Sequence, residues 1–393
     1  MNREALDSAK EQFEKLITEE LARIERMKTT EEPMDFAKLD TIRIGILPGD
    51  GIGPIITKEA LRVLEFLLED EIHEGKIEII LIEGMTIERR AALMQSLPDD
   101  VMEEVKKCHV LLKGPMVTPR TSDPWPNLVS PNSLLRRGLE LYAAVRPIKI
   151  PEKGIDWTFF RENIEGEYIW GNKGIRVNED LAIDFKISTK PGVQRIARAA
   201  FEFARKNGKK NITIITKANI VKLTDGSFIE GIREVGKEYP DIDIQERLVD
   251  AMSAKMMDPE FTKGCEIFIL PNLYGDIVTD VAAEHQGGLG TASSSNLGDR
   301  YALFEAIHGT APFLINNHRG QYADPSSVIR AAGMLVAHIG FKEKKLLLDE
   351  AFDICTLRER NVVITTDKDG ATAEEFTTYL LETMKNLKEG AEK

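Results

Sequence analysis

Apolar residues along the chain recur with two different periods, and the switches between them mark its elements. Over residues 1–39, Phe13, Ile17, Leu21 and Ile24 return at three-to-four spacing among charged residues until Pro33 closes the pattern, so this segment is read as one amphipathic helix. Its stripe suits either packing on its own domain or a coiled-coil or subunit contact. Next, TIRIGILP is a short β-branched run that ends in GDGIG and leads into the helical pattern IITKEALRVLEFLLE. That is strand, tight loop, helix. Strand-like runs follow at KIEIILIEG, VLLKG, WTFFREN, NITIITK, EIFILPN and NVVITT, separated by helical stretches such as VQRIARAAFEFARKNG and DPSSVIRAAGMLVAHIG. The alternation predicts an α/β fold with largely parallel sheets. No repeat and no Pro/Gly-rich linker divides the chain, so any domain split must come from packing.

The GDGIG loop invites a dinucleotide-binding reading but does not satisfy it. Gly49, Gly51 and Gly53 are followed by Pro54, which breaks the GxGxxG spacing and argues against a Rossmann fold. Glycines that merely allow a tight turn into a helix explain the segment equally well.

Composition narrows the function. With 393 residues the chain is long enough for two or three domains or lobes, and its 42% hydrophobic and 30% charged residues are those of a globular protein. No apolar run is long enough for a membrane span. A formal charge of −13 argues against a nucleic-acid surface, since phosphate backbones attract basic proteins. Cys108, Cys265 and Cys355 are far apart and lack metal-ligand spacing, which fits packing roles in a reducing compartment. The opening MNREALDSAKEQFEKLITEE lacks the apolar core of a secretory signal and is too acidic for a transit peptide, so the expected location is cytoplasmic.

Three clusters suggest chemistry. In EIFILPNLYGDIVTD an apolar strand ends and the next helix places Asp276 and Asp280 one turn apart on one face. Two like charges there suit a hard divalent cation held between them, or two solvated acids near a helix N-terminus. SPNSLLRRGLELYAAVRP and WTFFRENIEGEY group Ser130, Asn132, Arg136, Arg146, Arg161 and Tyr168 in an otherwise acidic chain. Such arginines suit bidentate recognition of a di- or tricarboxylate. Lys217 follows the strand ITIIT directly, which puts its amine at a strand end. It is either a surface lysine or a base whose pKa burial or neighbouring cations must bring down from ~10.4.

Taken together, LPGDGIG, SPNSLLRRGLELYAAVRP, RENIEGEY, TKANIVKLTDGSF, NLYGDIVTD and FEAIHGTAP occur in the order found in the isocitrate/isopropylmalate dehydrogenase family. The resemblance spans roughly residues 41–385 and leaves only the N-terminal helix outside. It implies a two-lobed α/β fold, distinct from the Rossmann fold, carrying an N-terminal helical extension over 1–39. The large nucleotide-binding domain would comprise 40–141 and 288–393. The small domain would be 142–287, with the dimer interface and a clasp-like insertion near 166–189. It further implies a homodimer with shared active sites. Asp276 and Asp280 would bind Mg²⁺ or Mn²⁺ in one subunit, while Asp250 and Lys217 reach in from the other. Arg136, Arg146 and Arg161 match the carboxylate-binding arginines, and Tyr168 matches the tyrosine that protonates the product enol. Thr118, Glu305, His308, Gly309, Thr310, Ala311, Pro312 and Asp324 match nucleotide neighbours, although Glu305 and His308 suit structural hydrogen bonding as well. A metal-bound substrate hydroxyl would lose its proton to Lys217, directly or by relay, before hydride transfer and loss of carbon dioxide.

Substrate choice in this family lies largely on the helix leading to Arg136. Ser130 and Asn132 stand where isocitrate enzymes carry serine and asparagine, and their polar groups suit the extra carboxylate of isocitrate. Isopropylmalate enzymes present a glutamate and two leucines where this chain has Val129, Asn132 and Ser133. Homoisocitrate enzymes can share the Ser130-Pro131 pair but are usually apolar at the asparagine position, and they are the alternative. After HGTAP the chain continues with Phe313 and Leu314, neither the Lys-Tyr of the NADP branch nor the Asp-Ile of the NAD branch. The tyrosine and arginine of the NADP branch would fall near Val362 and Thr366, so NAD is favoured by subtraction. The loop NNHRGQYADP is longer than usual, leaving His318 or Arg319 as possible phosphate contacts, and Asp324 stands where asparagine is common. A non-catalytic regulatory subunit of a hetero-oligomeric dehydrogenase is the reading of another class. The presence of Lys217, Tyr168, Asp250, Asp276 and Asp280 together favours catalysis.

Overall fold

The computed structural model describes residues 3–28, 33–120, 122–171, 173–288 and 292–391. The chain opens with α1 (Arg3–Met27) and continues through β1 (Ile42–Leu47), α2 (Gly53–Leu67), α3 (Glu69–His73), β2 (Ile77–Leu81), α4 (Ile87–Leu93), α5 (Asp99–Lys107), β3 (Val110–Lys113) and α6 (Pro131–Gly138). The middle holds β4 (Ala143–Ile150), β5 (Ile155–Glu162), β6 (Ile175–Arg176), β7 (Ala182–Ile183), α7 (Lys190–Lys206), β8 (Asn211–Thr216) and α8 (Thr224–Gly236). After these come β9 (Asp243–Leu248), α9 (Val249–Lys255), β10 (Ile267–Leu270) and α10 (Asn272–Gln286). The last part contains β11 (Ser293–Leu297), β12 (Ala302–Ala306), α11 (Pro312–Asn316), α12 (Ser326–His338), α13 (Lys342–Asp353) and α14 (Ala373–Ala391).

Two compact units result. One comprises Pro33–Leu139 and Ala283–Lys393. Its strands run in the order β2-β1-β3-β12-β11, parallel except for the pair β11–β12. Ile44 and Ile46 of β1, Ile56 and Val63 of α2, and Val328 and Leu335 of α12 meet in its buried core.

The other unit joins the described residues of Met1–Glu32 to Glu140–Ala282. Its strand order is β4-β5-β10-β8-β9, parallel except for β4–β5. Phe159 and Phe268 stack at 4.5 Å between ring centroids on adjacent strands, with Trp157 edge-on to Phe268. β6 and β7 form a separate antiparallel hairpin inside the segment read as a clasp-like insertion.

Two features differ from the sequence reading. The predicted stripe of α1 does not face inward: Phe13, Ile17 and Leu21 are exposed, while Leu16, Glu20 and Arg23 are buried. A buried ion pair from Arg23 to Glu165, described below, sets the face that turns inward. The helix thus belongs to the unit of residues 140–282 rather than standing apart, and residues 33–39 go with the other unit. Second, NVVITT forms no strand. It follows a π-helical turn at Ile354–Arg358 and is bounded by left-handed Arg360 before it and Thr366 at its end, which turn the chain at both ends of the run. Among the described residues no helix is long and apolar enough to cross a membrane, and all three cysteines are free and buried.

Candidate active site

In the unit of residues 140–282 the pairing of β4 with β5 sets the geometry. Ala144 lies opposite Arg161 and Arg146 opposite Phe159, so the two arginines are diagonal neighbours on one face of the sheet. β10 ends beside Arg161, and α10 then turns back over that face. Gly275 is needed here because a Cβ at that position would lie 2.5 Å from Arg161 Cγ.

The two arginines and the two acids meet. Arg161 pairs with Asp276 Oδ1, and Arg146 reaches Asp276 Oδ1 at 3.4 Å and Asp280 Oδ1 at 3.2 Å. Arg146 also donates to Thr279, one turn along the same helix face. Tyr168 Oη donates to Asp276 Oδ2 at 2.7 Å, and the Arg161 guanidinium lies 5.2 Å from the centroid of its ring. Both arginines are buried. Burial pushes the Asp280 carboxyl up, Arg146 pulls it back, and Asp276 adds to the rise through like charge. A pair of part-exposed carboxylates one helical turn apart, each raising the energy of the other's charge, fits a hard divalent cation.

Lys217 and Asp250 form a second pair. β8 and β9 run in parallel with Thr216 opposite Leu248, which brings the residues just beyond their ends together. Lys217 Nζ lies 2.7 Å from Asp250 Oδ1, and the Asp250 side chain is 63% exposed. Hydrogen bonding from Lys217 holds the Asp250 carboxyl below its usual range. Among the described residues no group of three acids, histidines or cysteines comes together to hold a metal. Asp250 therefore does not complete the Asp276/Asp280 pair within the chain.

The unit holding residues 33–139 and 283–393 carries the other predicted residues. Ser130 is the N-cap of α6 and makes no side-chain capping bond. Asn132 Oδ1 is buried and has no hydrogen-bond partner among the described residues. Arg136 is oriented by buried Glu305, which it meets at 3.2 Å. Glu305 also takes Lys113 at 2.8 Å and Asn296 at 2.8 Å. Burial alone would raise the Glu305 carboxyl, yet Lys113 and Arg136 hold it far below the ordinary range. Its place in the chain is as the anchor of Arg136.

The glycine loop packs against neighbouring segments of its own unit. Asp50 accepts from Ile87 N at 2.7 Å, Arg90 at 2.7 Å and Val117 N at 2.8 Å, next to exposed Thr118. Gly51 has φ +60°, and a Cβ there would sit 2.3 Å from the Thr310 carbonyl oxygen. The loop is thus locked against HGTAP. A Cβ on Gly309 would meet open space, Ala311 is left-handed at φ 46°, and Pro312 begins α11. His308 Nε2 pairs with Ser327 Oγ at 2.7 Å and Nδ1 with Gly309 O at 3.0 Å, while burial pushes the imidazole pKa down. Burial favours the neutral ring, in which Nδ1 donates to the carbonyl and Nε2 accepts from the hydroxyl. Asp324 Oδ1 caps α12 at Ser326 N, 2.8 Å. Arg319 is not free: it donates to Thr366 O and pairs with Asp367 at 3.1 Å.

The sequence reading missed Lys113, Asn272, Asn296 and the Glu162/Glu165 pair. Lys113 had a signal, a charge ending an otherwise apolar strand. Asn296 lies in SSSNL, whose four buried leading residues are all polar.

The chain matches the isocitrate/isopropylmalate dehydrogenase family over residues 43–382. It is 34% identical over 317 residues to mitochondrial isocitrate dehydrogenase (NAD) subunit 2 of Schizosaccharomyces pombe, covering 78% of each chain. To homoisocitrate dehydrogenase of Methanocaldococcus jannaschii it is 34% identical over 335 residues, 81% of this chain and 91% of that one. The crystal structure of isocitrate dehydrogenase from Methylococcus capsulatus superposes with a TM-score of 0.76 at 31% identity, over 88% of this chain and 99% of that one. Fold and sequence together define a β-decarboxylating dehydrogenase. The chain belongs to the isocitrate/isopropylmalate dehydrogenase family, whose members depend on a nicotinamide cofactor and a divalent metal.

Proposed function

We propose that this protein oxidises isocitrate and decarboxylates it to 2-oxoglutarate, using NAD and Mg²⁺ or Mn²⁺, as a homodimer with shared active sites. The observation that carries the substrate is Asn132 Oδ1, buried and unpaired on the helix that bears Ser130 and Arg136. Turned over, the same amide presents two N–H donors to a carboxylate, which an aliphatic substituent would leave unsatisfied. NAD is supported by Arg319, whose guanidinium is taken up by Thr366 O and Asp367 instead of waiting for a phosphate.

Asp276 and Asp280 would hold the cation with the partner's Asp250; bound there, it supplies a Lewis acid for the substrate hydroxyl and then the keto oxygen. Arg146 and Arg161 would exchange these carboxylates for those of the substrate. Lys217 would take the hydroxyl proton, and the nicotinamide, when bound, would supply the hydride acceptor. Carbon dioxide departs from the carbon next to the new ketone, whose carboxylate is β to that carbonyl, and Tyr168 would deliver its proton to the enolate carbon that remains. The exposed Lys217–Asp250 pair, set apart from a two-acid cluster, supports completion of the site by a second copy.

Homoisocitrate is the second reading, favoured by the Ser130-Pro131 pair and by the relative that bears that name. Assaying the purified protein with isocitrate, homoisocitrate and isopropylmalate against NAD and NADP tests the proposal. Highest kcat/KM for isocitrate with NAD supports it; no turnover of isocitrate while another substrate reacts overturns it.

A further inference from the structure

The N-terminal helix lies outside the region shared with the family, yet it places a charge deep in the unit that carries the catalytic carboxylates. Arg23 has an 8% exposed side chain. Its Nη2 pairs with Glu165, and both Nε and Nη2 meet Glu20, at 2.8 and 2.7 Å. Glu165 is 2% exposed and is also gripped by Thr189, through N at 2.8 Å and Oγ1 at 2.5 Å. Three residues earlier, buried Glu162 accepts from the main-chain N–H of Glu165 at 2.6 Å. Two carboxylates thus share one buried turn, and Arg23 is the cation bound directly to it.

That turn supports the substrate clamp. The Glu165 carbonyl accepts from Asn272 Nδ2 at 2.9 Å, and Asn272 Oδ1 accepts from Arg161 Nε at 2.9 Å and Nη2 at 2.7 Å. Arg161 in turn holds Asp276. An unbroken polar chain therefore runs from the N-terminal helix through Glu165, Asn272 and Arg161 to Asp276.

We infer that Arg23 is a positioning residue for substrate binding: by clamping Glu165 it fixes Asn272, and through it the fork of Arg161. The inference rests on the reading of Arg161 as a substrate-carboxylate ligand. An exposed surface bridge would not have this consequence, because its loss is absorbed by water. Here both charges are dry, so removing Arg23 leaves a buried carboxylate without its cation and the turn must move or take up a proton. Arg161 contacts substrate in ground state and transition state alike, so its misplacement raises KM and leaves kcat largely unchanged.

The test compares Arg23→Met and Arg23→Lys with the unaltered enzyme, using whichever of isocitrate, homoisocitrate and isopropylmalate it turns over. KM is expected to rise about tenfold or more for Arg23→Met, the loss typical of a residue that orients a ligand-binding side chain, with partial recovery in Arg23→Lys. Glu19→Gln, which removes only the 37%/42% exposed bridge to Lys173, is expected to keep the normal KM. If Arg23→Met does not fold, Arg23→Met with Glu20→Gln and Glu165→Gln neutralises both buried carboxylates that Arg23 pairs with and is expected to show a smaller rise. Unchanged KM and kcat in a folded Arg23 variant, with only Tm lowered, overturns the inference. Should none of the three substrates react, the proposed function fails on its own, and the crystal structure of Arg23→Met decides here. Arg161 displaced from Asn272 supports positioning; Arg161 unmoved overturns it.

Discussion

Tyr168 Oη donates to Asp276 Oδ2, 2.7 Å away, so the proposed proton donor and a proposed metal ligand share one hydrogen bond. On the proposed metal role, Asp276 would turn to meet the cation, and the same motion would free the phenol.

Tyr168→Phe removes the donor but keeps the ring beneath Arg161. The expected loss in kcat is about 100-fold or more, the usual contribution of a positioned proton donor, with KM changed much less. Steady-state kinetics with isocitrate measure it; kcat within a few-fold of normal would rule out this role for Tyr168.

Asp276→Asn removes one of the two acids of the pair while an amide of the same shape still accepts from Arg161. The circular dichroism spectrum should be unchanged and the Mg²⁺ concentration for half-maximal activity should rise sharply. An unaltered metal dependence would count against the site.

Glu305→Gln leaves Lys113 and Arg136 without their shared carboxylate, and the Lys113 and Glu305 side chains are only 3% and 8% exposed. Breaking one side of a buried pair costs about 3–5 kcal/mol, readable by urea unfolding. Because the Glu305 carboxyl is depressed in the fold, its stabilisation is complete above its ordinary value of 4.5 and fades as pH falls below it. The difference between normal and variant protein should narrow on acidification.

Glu162 has the opposite sign. Burial, and then the adjacent Glu165 carboxylate, push it up to about 8, so it stays protonated in the fold where the unfolded chain has lost the proton. Between its ordinary 4.5 and about 8 the folded state binds more protons, and stability declines as pH rises through that window. Glu162→Gln is neutral throughout, so its Tm should gain on the normal protein from about pH 5 upward, by the linkage of a raised acid. Parallel Tm profiles would contradict the assignment.

Much of this was legible in the chain. GDGIG was correctly denied a Rossmann role by its spacing, and Asp276 and Asp280 share a helix face as their separation requires. The rest depends on partners distant in sequence. Phe13, Ile17 and Leu21 form the better apolar stripe, yet α1 buries Leu16, Glu20 and Arg23, since Glu165 waits on the other side. SSSNL is a buried strand without an apolar residue among its first four, so no hydrophobic period reveals it. NVVITT has strand composition but follows a π-helical turn and is bounded by left-handed Arg360 and Thr366, which composition does not reveal. For Glu305 the sequence left a nucleotide neighbour and a structural hydrogen-bonding residue equally open, because it does not reveal that Lys113, Arg136 and Asn296 converge on it.

The register of β4 on β5 makes the chain unevenly tolerant of insertions and deletions. The turn at Pro151–Gly154 is exposed and lies beyond the last paired residues, Ile150 and Ile155, so an extra residue there leaves the ladder untouched. A residue inserted between Trp157 and Arg161 would instead turn Arg161 to the opposite face of the sheet, away from Arg146 and α10. Lineages of this protein should therefore vary in length freely at that turn, while the few residues before Arg161 keep a fixed count.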